Sequence, residues 1–239
     1  MSTLGHVTLS RQMVLRSQLD SIAHNIANAE TPSFKGRHTF LVEKVARPPQ
    51  GDAISFVSTI ADLRDFSEGP LKTTGGELDL AIRGAGFFKV DNGFTTQYTR
   101  NGSFELDFDG QLTTKSGSLV LDTNDRPIVI PPDAGPVAIA RDGTVSGPAG
   151  VLGTIKVVTF DDPNSLTDAG DTLYTASQPE IEAEGHEIHQ GVLETANVQA
   201  VMEITRMIEV LRAYQSVQRI TEQNHDLSRQ TIQKLTEVN

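Results

Sequence analysis

The chain has 239 residues with a net charge of -11, 37% hydrophobic and 5% aromatic residues, no Trp and no Cys. Such a length buries a core with ease, a core expected to consist of Val, Ile, Leu and Ala. Lack of cysteine excludes disulfides, thiolate metal sites and Cys nucleophiles, and the acidic balance argues against a nucleic-acid partner, which needs clustered Lys and Arg. No apolar run approaches the roughly 18 residues of a membrane span, and the N-terminus lacks the pattern of a cleavable signal.

The charge is unevenly spread. Residues 1–35 sum to +1 and residues 193–239 to -1, so the whole excess lies between them. Near-neutral ends can pack against one another while an acidic middle stays solvated.

Residues 6–31 contain neither Gly nor Pro, and Leu15, Leu19, Ile22 and Ile26 follow a 4-3-4 spacing. That spacing predicts a helix with one narrow apolar seam. Asn28 is expected to take a left-handed cap conformation, and Pro32 pushes Thr31 out of the helical region.

The middle of the chain has another texture. All Pro, and every Gly except Gly5, fall between residues 32 and 191. Asn92-Gly93, Asn101-Gly102, Asp109-Gly110 and Asp142-Gly143 predict hairpin turns between short apolar strands. The expected middle is therefore a compact antiparallel β domain, with Arg47-Pro48-Pro49-Gln50-Gly51-Asp52 as a loose connector.

Residues 192–239 again lack Gly and Pro. Val201, Ile204, Ile208 and Leu211 repeat a 3-4-3 seam that continues less regularly through Val217, Ile220 and Leu227. A helix of that length could reach roughly 60 Å. The fold class expected is α+β: a central antiparallel β-rich domain flanked by terminal helices that pair as a coiled coil. The expected boundaries are 1–35 for the first helix and its elbow, 36–191 for the β domain with a connector near 44–75, and 192–239 for the last helix.

Motifs for chemistry are missing or incomplete. His186-Glu187-Ile188-His189 lacks the spacing that puts two imidazoles on one helical face for zinc and is read as a solvated turn. Asp107-Phe108-Asp109-Gly110 opens like a calcium loop, but Ser118 stands where the twelfth-position glutamate belongs, so a hairpin turn is expected. Gly84-Ala85-Gly86 lacks the third glycine of a dinucleotide loop, and Lys89 occupies its place. No catalytic residue, cofactor or metal is expected.

The ends themselves pose the functional question. Four seam residues gain about 1.5 to 3 kcal/mol each on burial, whereas ordering a 26-residue backbone costs roughly 1 to 2 kcal/mol per residue. Before helical hydrogen bonds are credited, the stripe alone does not hold the first helix. Further copies of the chain would complete the burial, and a head-to-tail contact that does not close propagates as a filament. An intramolecular stalk or a simple dimeric coiled coil would satisfy the same pattern.

Several blocks carry a resemblance. They are Thr8-Leu9-Ser10-Arg11-Gln12; Ala23-His24-Asn25-Ile26-Ala27-Asn28-Ala29-Glu30-Thr31-Pro32-Ser33-Phe34-Lys35; the runs 64–75, 78–88 and 98–104; and the C-terminal runs 190–198 and 207–214. Together they resemble the bacterial flagellar rod and hook proteins over essentially the whole length, and the first block looks like the proximal-rod form. In this chain His24 replaces the signature's first asparagine and Ser33 its glycine, which puts the usual turn at 31–35 in question.

The resemblance implies a structural protein without cofactor or catalysis. Terminal helices of neighbouring subunits would form a tubular wall around an export channel, with the β domain outside, transmitting torque. Leu15, Leu19, Ile22, Ile26, Val201, Ile204, Ile208, Leu211, Val217, Ile220 and Leu227 would carry the helix packing, and Asn25, Asn28, Thr31, Pro32, Phe34 and Lys35 the elbow. Implied partners are further copies, neighbouring rod proteins and the flagellar type III export apparatus, with assembly in the periplasm. The alternatives are a distal rod or hook subunit or, in another class, a β-domain polysaccharide hydrolase on a helical stalk.

Overall fold

The computed structural model describes residues 3–46, 54–133 and 135–237; the expected connector at 47–52 lies outside them. The chain divides into two compact units, one drawn from both ends and residues 37–65, the other from residues 28–36 and 66–198.

The first unit contains α1 (Thr3–Ala27), α2 (Ala200–Glu237) and a hairpin of β1 (Arg37–Ala46) and β2 (Ile54–Arg64). The hairpin pairs Arg37 with Arg64 at its base and shifts register between Phe40 and Leu41. Residues 37–64 thus group with the helices, whereas the sequence boundaries put them in the β domain. Helix α1 packs on α2 and on both strands. Its best buried residues include Thr8, Leu15 and Ile22, seven apart, with Val14 and Ser21 beside them. Seven residues are nearly two full turns, so this set lies on one side of the helix.

Helix α2 begins eight residues later than the Gly- and Pro-free run suggested. Val192–Glu194 is instead a strand, because Glu194 is needed in the interior of the other unit. Along α2, Glu203 is buried and Met207, Val210, Tyr214, Val217, Thr221 and Asn224 are half-buried. That 4-3 repeat marks the side facing its own unit.

The second unit is built from sixteen strands: β3 (Leu71–Thr73), β4 (Asp79–Arg83), β5 (Phe87–Asp91), β6 (Thr96–Thr99), β7 (Gly102–Leu106), β8 (Leu112–Thr114), β9 (Leu119–Val120), β10 (Ala138–Ile139), β11 (Thr144–Gly147), β12 (Gly150–Thr154), β13 (Val157–Thr159), β14 (Thr167–Gly170), β15 (Leu173–Thr175), β16 (Ile181–Glu182), β17 (Glu187–Gln190) and β18 (Val192–Glu194). The main sheet runs β14-β15-β6-β5-β9-β8-β7-β4-β17, with β13 on β5 and β16 on β13; β10-β11-β12 and β18-β3 form smaller sheets.

Alternation along the strands separates two cores. In β5, Phe88 joins Leu80, Ile82, Val90, Phe104 and Leu112, while Phe87 joins Tyr98, Phe160 and Tyr174. Val157 and Val158 divide in the same way, as do Leu173 and Tyr174. The first core is largely aliphatic, as the composition suggested. The second is not: Tyr98 meets Phe160 edge-on at 4.8 Å and Phe66 meets Phe87 at 5.6 Å. A small aromatic fraction is concentrated there rather than diluted.

Three of the four expected turns close hairpins, at Gly93, Gly110 and Gly143, each with positive φ. Asn101-Gly102 does not. Gly102 opens β7 opposite Leu80, and a Cβ there would lie 1.9 Å from Leu80 O, so close backbone approach rather than a turn requires glycine. The His186–His189 segment is likewise no turn. Ile188 is buried in β17, His186 Nδ1 lies 2.8 Å from Ala183 O, and His189 lies 3.3 Å from Glu187.

One ion cluster pins β16's approach to this sheet. Lys89 and Lys156 each reach both Asp125 and Glu180 within 3.1 Å, and Tyr98 donates to Glu180 at 2.8 Å. Burial pushes the Glu180 carboxyl up, but hydrogen bonds from Lys89, Tyr98 and Lys156 outweigh it and hold it below its ordinary 4.5. Burial and the adjacent Glu180 push the Tyr98 phenol above its ordinary range.

Candidate functional site

The elbow at residues 28–36 belongs to the second unit. Helix α1 ends at Ala27, and a turn follows in which Thr31 N–H donates to Asn28 O at 3.0 Å and Phe34 N–H to Thr31 O at 3.2 Å. Asn28 is not left-handed, against the sequence expectation. The left-handed residue is Ser33, with φ 55 and 1% exposure. Its hydroxyl donates to Arg100 O at 2.8 Å and its N–H to Glu194 O at 2.8 Å. The turn that glycine would allow is therefore kept with serine, and a buried hydrogen bond offsets the strain of roughly 1–2 kcal/mol.

Lys35 follows at zero exposure. Its ammonium bonds Glu194 Oε1 at 2.6 Å and Ser67 O at 2.5 Å. Glu194, 1% exposed, also accepts Gly69 N–H on Oε1 at 2.8 Å and Arg100 Nε on Oε2 at 2.9 Å. The remaining Arg100 donors go to carbonyls: Nη1 to Gly84 at 3.0 Å and Gly86 at 2.9 Å, Nη2 to Ile82 at 3.1 Å. The Gly84-Ala85-Gly86 turn, with φ of 98 and 147 at its glycines, thus presents carbonyls to a guanidinium. Two cations share one carboxylate, and four backbone carbonyls accept further donors from them. Such a network stays buried only when fully hydrogen-bonded. Asn197 closes the elbow, accepting Gly36 N–H at 2.8 Å and donating its own N–H to Phe34 O at 3.3 Å. Phe34 is buried, and Thr31 and Pro32 are half-buried.

In the first unit the clamp is Asn25. Its Oδ1 accepts Arg37 N–H at 2.8 Å, and its Nδ2 donates to Arg37 O at 2.9 Å and Glu203 Oε2 at 3.3 Å. Ser21 donates to the same carbonyl, and Arg206 to Glu203 Oε1 at 2.6 Å. Only an amide offers a donor and an acceptor side by side to a strand's backbone. Gly36 and Arg37 are consecutive, yet each is held within a different unit.

The helix residues fall into two groups. Leu15 and Ile22 are buried, and Leu19, Ile26 and Val217 are half-buried. Val201 is 75% exposed, Leu227 62%, and Ile204, Ile208, Leu211 and Ile220 between 43% and 47%. Val201, Ile204, Ile208 and Leu211 lie together, off the repeat that faces the unit, as an uncovered apolar stripe, while Ile220 and Leu227 sit on another flank of the helix. Sequence reasoning missed Val14, Arg100, Glu194 and Glu203. The middle two lie in the runs 98–104 and 190–198, but a charged residue among polar neighbours gives no sign that it is interior.

A cavity of about 330 Å³ beside the elbow is lined by residues including Thr31, Pro32, Asn101, Lys115, Asp171 and Thr172. Among the described residues no group of three or more metal-ligating side chains is placed to hold an ion. No helix among them is long and apolar enough to cross a membrane.

Residues 81–147 match the family model of the flagellar hook protein FlgE/F/G D1 domain, and residues 189–234 that of the flagellar basal body rod FlgEFG protein C-terminal region. A flagellar basal-body rod protein FlgF from Caulobacter vibrioides is 42% identical over 98% of both chains. The chain belongs to the flagellar basal-body rod protein family. FlgF of Mesorhizobium japonicum is 32% identical over 96% of each chain, and FlgG of Bacillus subtilis 34% over 86% of this chain and 88% of its own. The resemblance to rod and hook proteins is borne out, and with it a structural subunit of the basal-body rod. The hydrolase alternative is not favoured. Both family matches contain parts of the rod protein's elbow support, Arg100 in the first and Glu194 in the second.

Proposed function

We propose that this rod protein polymerises through its terminal helices into the wall of the proximal rod. Helices α1 and α2 pair as a two-stranded coil, and the uncovered stripe of α2 meets further copies and neighbouring rod proteins. The β unit forms the outer layer, so the tube encloses the export channel and carries torque. Delivery is through the flagellar type III apparatus and assembly takes place in the periplasm. The observation that supports this most is the run Val201, Ile204, Ile208, Leu211: apolar, helically spaced and exposed, beside a 4-3 repeat that is buried or half-buried. Water contact along such a stripe is unfavourable, and burial on a neighbour removes it.

Ile208→Asp tests the reading. The purified monomer should keep its circular dichroism and unfolding midpoint, because Ile208 is 46% exposed, while isolated basal bodies should lack the variant. Rods that incorporate it normally would show that the stripe is not the interface. Ile22→Asp is a poorer probe, since Ile22 is 9% exposed and the charge would damage the first unit itself.

A further inference from the structure

The turn between β5 and β6 carries a reactive arrangement that the proposed helix-based assembly does not call on. Asn92 and Gly93 are exposed, Gly93 has φ 84, and a Cβ added to it would meet nothing within 4 Å. Asp91 Oδ1 accepts Gly93 N–H at 3.0 Å, and Asn92 Oδ1 accepts Phe94 N–H at 2.9 Å and Thr95 N–H at 2.8 Å. Each contact has a chemical counterpart. A carboxylate rests on the one backbone nitrogen whose attack on Asn92 Cγ closes a five-membered ring, and so can take its proton. Two N–H groups rest on the carbonyl oxygen that gains negative charge as that nitrogen adds. Glycine leaves the approach unhindered.

We propose that Asn92-Gly93 is a self-modifying site at which Asn92 deamidates through a cyclic imide, with water as the only co-reactant. The Gly93 N–Asn92 Cγ bond forms and the Asn92 Cγ–Nδ2 bond breaks. The proton from Gly93 passes by way of Asp91 to the departing nitrogen, which leaves as ammonia. Water adding at Cγ then breaks the new Cγ–N bond and gives aspartate, whereas water adding at the backbone carbonyl of Asn92 breaks the original peptide bond and gives isoaspartate, linked onward through Cγ. Nothing is oxidised or reduced. The product places a second carboxylate beside Asp91 at the tip of a rigid sheet.

The chain contains its own control. Asn101-Gly102 has the same two residues, but Gly102 is buried and paired with Leu80. Asn101 N–H is held by Thr99 Oγ1 at 3.0 Å, and Asn101 Oδ1 takes one N–H, from Ser103 at 3.1 Å. Ring closure there would pull Gly102 out of the ladder.

Trypsin separates the two steps, releasing Val90–Arg100 with Asn92 and Asn101–Lys115 with Asn101. The purified full chain is aged at neutral pH, digested and followed by chromatography with mass spectrometry. The first peptide should gain about one dalton and split into aspartyl and isoaspartyl forms, at least about tenfold faster than the second. Asp91→Asn should slow the first peptide alone, and aging in denaturant should bring the two rates together. Equal rates in the folded chain, no conversion at Asn92, an unchanged rate in Asp91→Asn, or a difference that persists in denaturant would each overturn the proposal.

Discussion

The two units use similar residues to opposite ends. In the β unit Leu80, Ile82, Phe88, Val90, Leu112 and Val120 are at most 1% exposed, and even Lys35, Arg100 and Glu194 are buried, both cations on the one carboxylate. In the helical unit, Ile and Leu residues at helical spacing on α2 remain between 43% and 62% in water. The β unit closes its cores within the chain and leaves its exposed apolar residues, such as Phe94, Phe108 and Val151, scattered on loops and strand edges; the helical unit leaves them in a row along one helix. A sheet with strands on several sides closes over its own interior, whereas a long helix has more circumference than one neighbouring helix and a hairpin can cover.

Substitutions can break that contrast. The largest effect is expected at Glu194: Glu194→Gln leaves Lys35 and Arg100 buried without a countercharge and should destabilise the β unit by about 3–5 kcal/mol. Urea unfolding followed by Tyr98 and Tyr174 fluorescence would measure it, and an unchanged midpoint would mean the network is dispensable. Ile22→Ala comes next, at about 2–4 kcal/mol, and should loosen the helical unit alone. Circular dichroism should then show helix melting early while the β signal keeps its transition. Ser33→Ala keeps the left-handed strain but removes the hydroxyl, for about 1–2 kcal/mol. Ser33→Gly, which relieves the strain as it loses the bond, should fall closer to wild type, and the order of the two midpoints is the check.

A smaller effect separates the units by pH. Because the folded Glu180 carboxyl lies below its ordinary 4.5, its contribution is present above that value and is lost as pH falls through the folded pKa. Glu180→Gln should therefore flatten the acid limb of the β unit's stability while leaving the melting of the helices unchanged. The smallest effect on the monomer belongs to Ile208→Asp, within about 0.5 kcal/mol, although it is the substitution expected to abolish assembly.

Much of this was legible in residue order, for identifiable reasons. Periodicity is a local property, so the helical ends, the β-rich middle and the turns at Gly93, Gly110 and Gly143 could be read directly. What failed was whatever depended on distant partners. The run from residue 192 looked helical until β3 claimed its first residues as a strand, and Asn101-Gly102 looked like a turn until Leu80 appeared against it. The expected elbow residues are local to 25–35, but the contacts they make with Arg100, Glu194 and Asn197 come from segments far along the chain.

By itself, the order of amino acids determined that both ends are helical, that the middle is β, that no motif for catalysis is complete, and that the chain resembles rod and hook proteins. These follow from spacing and from the conformations Gly and Pro permit. Only the tertiary structure decided which stripe of α2 is covered and which is left open, that Ser33 holds a glycine's conformation, and that one carboxylate anchors the elbow. Burial and ion pairing are settled by neighbours in space, and neighbours in space are what a linear sequence does not name.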